Sequence, residues 1–199
     1  MFSSSEEFDL FKIKHNSIAP SKGKVLISVP FVRDVSFQKS VILLTEHDAG
    51  GSFGFILNKS FGYKLSDVIT DVEDCDMMVG YGGPVESDTL HFIHTLGDAV
   101  PEASRIAGNL YWGGDLGTVK TLINERQVTN GQIRFFIGYS GWSPHQLNDE
   151  IIADSWLVSQ LSCKDIMHFT DEYLWKLSLF KMGKKYSYWT SFPDNPRLN

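Results

Sequence analysis

Hydrophobic residues in this chain fall mostly into short unbroken runs, not at helical spacing. Val25-Leu26-Ile27 within Lys24–Val29, Val41-Ile42-Leu43-Leu44 within Ser40–His47, Phe55-Ile56-Leu57 within Phe53–Asn58 and Ile133-Arg134-Phe135-Phe136-Ile137 are rich in β-branched and aromatic residues, with Gly, Pro or Asn nearby. Such runs predict strands buried on both faces. Asp48-Ala49-Gly50-Gly51 between the second and third runs predicts a hairpin turn. Further strands are expected at 77–81 and 89–94, a strand and turn across 105–112, and a short last strand at 155–158. Helical spacing is confined to 65–69, to a segment capped by Asp115 (Leu116, Val119, Leu122, Ile123), to the stretch after Ser143-Pro144, and to one capped by Thr170-Asp171. That last helix, with Tyr173, Leu174, Leu177 and Phe180 as its face, should stop at Gly183. Strands outnumber helices and lack a βαβ rhythm, so an α+β fold is expected. No linker or repeat divides 1–199, which reads as a single domain. Residues 1–20 form an N-terminal extension, with a short helix or a loose segment in 1–16, and 184–199 an extended, packed-down strap.

The stretch Gly138 to Glu150 joins the most apolar strand to a polar helix, and the rest of the chain is organised around it. Ser143 followed by Pro144 predicts an N-cap and first helical residue, which places free N–H groups and positive potential at the end of a core strand. Composition narrows the options. The chain of 199 residues has a net charge of −6 with His neutral, which argues against nucleic acid as a main ligand. The two cysteines, Cys75 and Cys163, form no metal-spaced pair. Neither a signal peptide nor a spanning apolar run is visible, so a cytoplasmic protein without membrane contact is expected. No cofactor or metal is called for.

The chemistry-bearing motifs each have a plainer alternative. Gly138-Tyr139-Ser140-Gly141-Trp142 resembles a nucleophile elbow but has Trp where the second glycine belongs. Glu46-His47-Asp48 stands at a strand end, where a base or ligand is useful, yet alternation puts Glu46 and Asp48 on one face and His47 on the other. His91 and His94 oppose each other on a strand for the same reason. Gln146 and Glu150 lie one helical turn apart and offer an amide and a carboxylate, or simply a solvated face. Gly82-Gly83-Pro84 and Gly113-Gly114-Asp115 are tight backbone elements matching no phosphate-loop fingerprint. A purely structural origin is the third option: the glycines meet special backbone angles, and Trp142 and Trp156 fill the core.

Taken together, Phe37–Leu44, Glu46-His47-Asp48 with Gly50 to Gly54, Phe55–Lys59, Gly82–Val85, Leu90-His91 with His94, and Gly138–Trp142 through Gln146-Leu147 to Glu150 resemble the AlgH/YqgE family. Its members are bacterial proteins often labelled uncharacterised or putative transcriptional regulators. The resemblance spans about Gly23 to Trp156, and the tail with Trp175, Gly183 and Pro193–Pro196 is similar to a Bacteroidetes branch. It implies a bent mixed or antiparallel sheet forming a pseudo-barrel flanked by helices, and no established catalysis. Lys39 stands where the family commonly has Arg, His145 where Gly is usual, and relatives carry Ala or Ser at position 140. The resulting expectation is a cytosolic regulatory or binding protein, not a direct DNA binder, with an unknown protein or small-molecule partner. Its candidate binding residues are Lys39, Ser40, Glu46, His47, Asn58, Gly82, Gly83, Trp142, Gln146 and Glu150. The rival expectation is a hydrolase or nucleotide-acting enzyme using Glu46, His47 and Glu150 as acid–base groups on a common cleft.

Overall fold

The structure, a computed structural model, describes residues 16–73, 75–168 and 170–191. In chain order its elements are β1 (Val25–Ser28), β2 (Val41–Asp48), β3 (Gly51–Ile56), β4 (Ser60–Lys64), α1 (Leu65–Val68), β5 (Met78–Tyr81), β6 (Val85–His94), β7 (Ser104–Ala107), β8 (Leu110–Trp112), α2 (Leu116–Asn124), β9 (Ile133–Trp142), α3 (Gln146–Ile152), β10 (Trp156–Ser159), α4 (Cys163–His168), α5 (Glu172–Lys181) and α6 (Lys184–Ser187). The ten strands form one sheet ordered β10-β1-β2-β3-β9-β6-β8-β7, with β5 joined to β9 and β4 to β5. All pairings are antiparallel except β5 with β9. The expected helix-flanked α+β sheet is present, and it stays open because β10 and β7 do not pair with each other.

The apolar runs are continuous because the sheet is covered on both faces. Val25, Ile27, Val41, Leu43, Phe55 and Leu57 pack under α4 to α6, against Ile166, Leu174, Trp175, Leu179 and Trp189. The alternate residues Leu26, Ile42, Leu44 and Ile56 face Leu147 and Ile151 of α3 with Trp142 and Trp156. A third cluster places Val119 and Ile123 of α2 against Val79, Phe92, Ile133 and Phe135.

β9 is the hub. Its residues 140–142 pair with β3, residues 135–137 with β5, and the other edge with β6. The chain crosses this fork through Gly82 and Gly83. A Cβ at Gly82 would stand 2.1 Å from the Gly138 oxygen, and one at Gly83 2.2 Å from the Tyr139 carbonyl carbon. Only glycine fits a backbone approach this close.

Several elements differ from expectation. β9 does not stop at Gly138 but turns there (φ +70) and runs on to Trp142. α3 starts at Gln146, not after Ser143: its N-cap is His145, left-handed at φ 66 and without a side-chain cap. In place of Ser143 as cap, the Gln146 Oε1 accepts from the Ser143 N–H at 3.0 Å. The buried face of α5 is Leu174, Trp175, Ser178 and Leu179, while Tyr173 and Phe180 are exposed. Trp175 decides that rotation by donating from Nε1 to the Ser28 oxygen at 2.9 Å. β4 and α4 were unforeseen, although Ser162 and Asp165 form a capping box, the Asp165 N–H donating to Ser162 Oγ and the Ser162 N–H to Asp165 Oδ2. Residues 184–191 are helical turns that bury Tyr186 and Trp189, not an extended strap. Residues 1–15 of the N-terminal segment, expected as a short helix or a loose stretch, and the rest of the strap, residues 192–199, lie outside the described residues.

Candidate functional site

The β2–β3 hairpin and the end of β9 form one corner of the sheet. Asp48 pairs with Gly51, leaving Ala49-Gly50 as the loop, and the Gly50 N–H donates to Asp48 Oδ1 at 2.7 Å. A bulge at Thr45, between the Leu44–Gly54 and Glu46–Phe53 pairs, shifts the alternation. Glu46 and Asp48 then point into a cleft of about 580 Å³ with Phe53, Val85, Tyr139 and Trp142 among its walls. Both carboxylates are exposed. The Phe53 and Tyr139 rings stack at 4.4 Å, and Trp112 continues the aromatic wall 5.0 Å from Phe53. Burial and the Glu86 carboxylate beside it push the Tyr139 phenol above its ordinary value.

His47 faces the opposite side of the strand, where Nδ1 lies 2.7 Å from the Ser52 hydroxyl, in an adjoining hollow lined by His145 and Asn148 that shares Asp48, Gly51, Ser52 and Ser143 with the cleft. Glu150 reaches neither. Its Oε2 accepts from Trp142 Nε1 at 2.9 Å and Trp156 Nε1 at 2.7 Å, and its Oε1 accepts from Gln146 Nε2 at 2.9 Å. This carboxylate ties the end of β9 to β10 through α3. Ser140 is fully buried, with its hydroxyl donating to the Gly82 oxygen at 3.1 Å. It sits within a strand, not on an elbow.

The remaining candidates sit elsewhere. Lys39 is left-handed (φ 50), its Nζ lies 3.3 Å from Glu172 and 5.8 Å from the Trp175 ring centroid. Asn58 holds that loop, accepting from the Val41 N–H at 2.8 Å and donating to the Lys39 oxygen at 2.7 Å, while the Ser40 N–H donates to Ser28 Oγ. Gly82 and Gly83 are buried in the fork, where the Gly82 N–H donates to the Ile137 oxygen and the Gly82 oxygen accepts from the Ile56 N–H. The structure thus brings the hairpin and the 138–144 segment together and leaves Lys39, Ser40 and Asn58 at another place. Sequence reasoning missed Asp48, Phe53, Val85 and Tyr139 as cleft walls, although the period-two pattern of the hairpin carries that signal for Asp48. Among the described residues no three His, Cys, Asp or Glu side chains gather as a metal site, and no helix is long and apolar enough to cross a membrane.

A family model described as AlgH-like matches residues 25–187. This chain belongs to the AlgH-like family. Within that family it is similar to a UPF0301 protein of Bacteroides thetaiotaomicron, 41% identical over 192 residues and covering 96% of this chain and 97% of the relative. A UPF0301 protein of Parabacteroides distasonis is 40% identical over 96% of this chain and 98% of its own length. The AlgH-like fold is shared with the crystal structure of DIP2367 from Corynebacterium diphtheriae, with a TM-score of 0.71, 22% identity and coverage of 96% and 100% of the two chains. The solution structure of the AlgH protein from Pseudomonas aeruginosa gives 0.69, 22% identity, 89% and 98%. None of these names states an activity.

Proposed function

We propose that this AlgH-like chain is a non-catalytic cytoplasmic binding protein that meets a partner at the hairpin–β9 cleft, any regulatory effect being exerted through that partner. One observation carries the reading. Of the three acid–base residues an enzyme would need on a common cleft, Glu46 alone lines it, while His47 faces away and Glu150 is bonded to two indoles and an amide. Exposed Glu46 and Asp48 beside the Phe53–Tyr139 ring pair favour a partner group rich in N–H donors, such as a basic side chain on a peptide or small molecule. The net charge of −6 supports a partner other than DNA. The family match over 25–187 and the continuous sheet support treating 1–199 as one domain.

A thermal-shift screen with basic peptides, metabolites and nucleotides tests this, with wild type beside Glu46→Gln/Asp48→Asn. A ligand at about 100 times its Kd adds roughly 2.7 kcal/mol, which is about 5–10 °C at 2–4 °C per kcal/mol. The shift should appear with a basic ligand and vanish in the double variant. Turnover of a hydrolysable substrate that depends on Glu46 would refute the proposal.

A further inference from the structure

Asp71, Asp76, Asp165 and Glu172 each have a lysine ammonium no farther than 3.4 Å away. Among the described residues Glu46, Asp48 and Glu86 have no such partner, and all three are exposed. These three unmatched carboxylates border the same aromatic surface.

Strand pairing puts them on its two sides. Glu46 lies opposite Phe53 on β3, Phe53 opposite Gly141 on β9, and Val85, the residue before Glu86, opposite Tyr139. The Phe53 and Tyr139 rings, stacked at 4.4 Å, thus stand on the two inner strands. Glu46 and Asp48 flank them on β2, and Glu86 flanks them on β6. Where β6 breaks its ladder between Val85 and Leu90, the Glu86 carboxylate stands beside the Tyr139 phenol and the His91 ring. From β2 through β3 and β9 to β6 is three strand spacings, about 14 Å of sheet. A single ammonium or guanidinium cannot bond carboxylates on both sides at once.

The surface between the acids suits carbon. Phe53, Tyr139 and Val85 wall the cleft of about 580 Å³, and Trp112 lies 5.0 Å from the Phe53 ring. Aromatic faces accept methylene stems and attract the cations these stems carry. Ionised carboxylates offer only acceptors, and the Tyr139 phenol can occupy only part of the acceptor capacity of Glu86.

We propose that the hairpin–β9 cleft takes a linear polyamine of about the length of spermidine. One terminal ammonium meets Glu46 and Asp48, the other meets Glu86, and the carbon chain lies across the Phe53 and Tyr139 rings. This inference rests on the cleft reading above and names its ligand class, since a monovalent basic side chain engages one side alone. Spermidine, putrescine, butylamine and a short arginine-containing peptide serve as probes in amide NMR titrations of the full chain at constant ionic strength. Spermidine should shift Ser52, Phe53, Val85, Glu86, Tyr139 and Gly141. It should bind more tightly than putrescine, and about tenfold or more tightly than butylamine, as one added charged hydrogen bond predicts. Glu86→Gln should bring spermidine down to the affinity of butylamine and leave the arginine peptide unchanged, whereas Glu125→Gln, which removes the same charge at the end of α2, should alter neither. Unfolding midpoints confirm that each variant is folded. Spermidine binding no tighter than butylamine, or equally tight in a folded Glu86→Gln, overturns the inference and leaves the cleft reading standing if the arginine peptide still binds. Absence of shifts with every probe overturns both.

Discussion

Replacing Glu150 by alanine removes one carboxylate and strips the acceptor from two indoles at once. Trp142 is 5% exposed and Trp156 1%, so water cannot readily take the place of Oε2. Hydrogen bonds to charged groups contribute about 1.5–3 kcal/mol each. Because Glu150 itself is half-buried, the lower value applies, and two such bonds give about 3 kcal/mol. At 2–4 °C per kcal/mol the midpoint should fall by roughly 6–12 °C. Glu150→Gln keeps one acceptor for the indoles but turns an N–H₂ toward Gln146 Nε2, and should cost about 1–2 kcal/mol. Urea unfolding followed by tryptophan fluorescence reads both variants, and Trp156→Phe in the Glu150→Ala background should then cost less than in wild type. A loss below about 0.5 kcal/mol for Glu150→Ala, the range of an ordinary surface change, would refute the tie and return Glu150 to the list of free acid–base groups.

Gly83→Ala should destabilise by more than about 3 kcal/mol or prevent folding, since the new carbon meets the Tyr139 backbone at 2.2 Å; soluble expression and circular dichroism check this. Trp142→Ala, at a junction of three aromatic rings, should cost about 3–5 kcal/mol in denaturant unfolding. His145→Gly relieves a left-handed residue and should add about 0.5–1 kcal/mol in the same assay. His91 and His94 are both pushed below the usual imidazole value by burial, opposed by Glu86 and the Gly113 carbonyl respectively. The unfolded chain therefore binds protons first: stability is full above about pH 6.5, falls as pH drops below that value, and levels off only beneath the lowered folded values. His91→Phe, placing a ring among Phe53, Phe55 and Tyr139, should flatten that fall in unfolding midpoints between pH 7 and 5.

What could be read from the sequence follows from what is local. The strands of the hairpin, β1 and the first half of β9 were legible because both faces are buried, and Asp115 and Asp171 announced their helices through caps that the structure shows. The passage of β9 through Gly138 was not, because glycine there serves a close approach to Gly83 and Val85, a long-range fact that looks locally like a stop. Helix α5 rotated from its expected face because the bond from Trp175 to Ser28 spans 147 residues. β4 escaped notice because all five of its residues are exposed, so no burial pattern marks it. At the candidate site, alternation correctly separated Glu46 from His47. The use of Glu150 was hidden, since its two indole partners come from different strands and only packing brings them together.

The most direct test of the binding account is an amide NMR titration of the full chain with a short arginine-containing peptide, wild type beside Glu46→Gln/Asp48→Asn. The account predicts shifts confined to Ser52, Phe53, Val85, Tyr139 and Gly141 that saturate in wild type and are lost in the folded double variant. Shifts that miss these residues, or that persist unchanged in the variant, would contradict it.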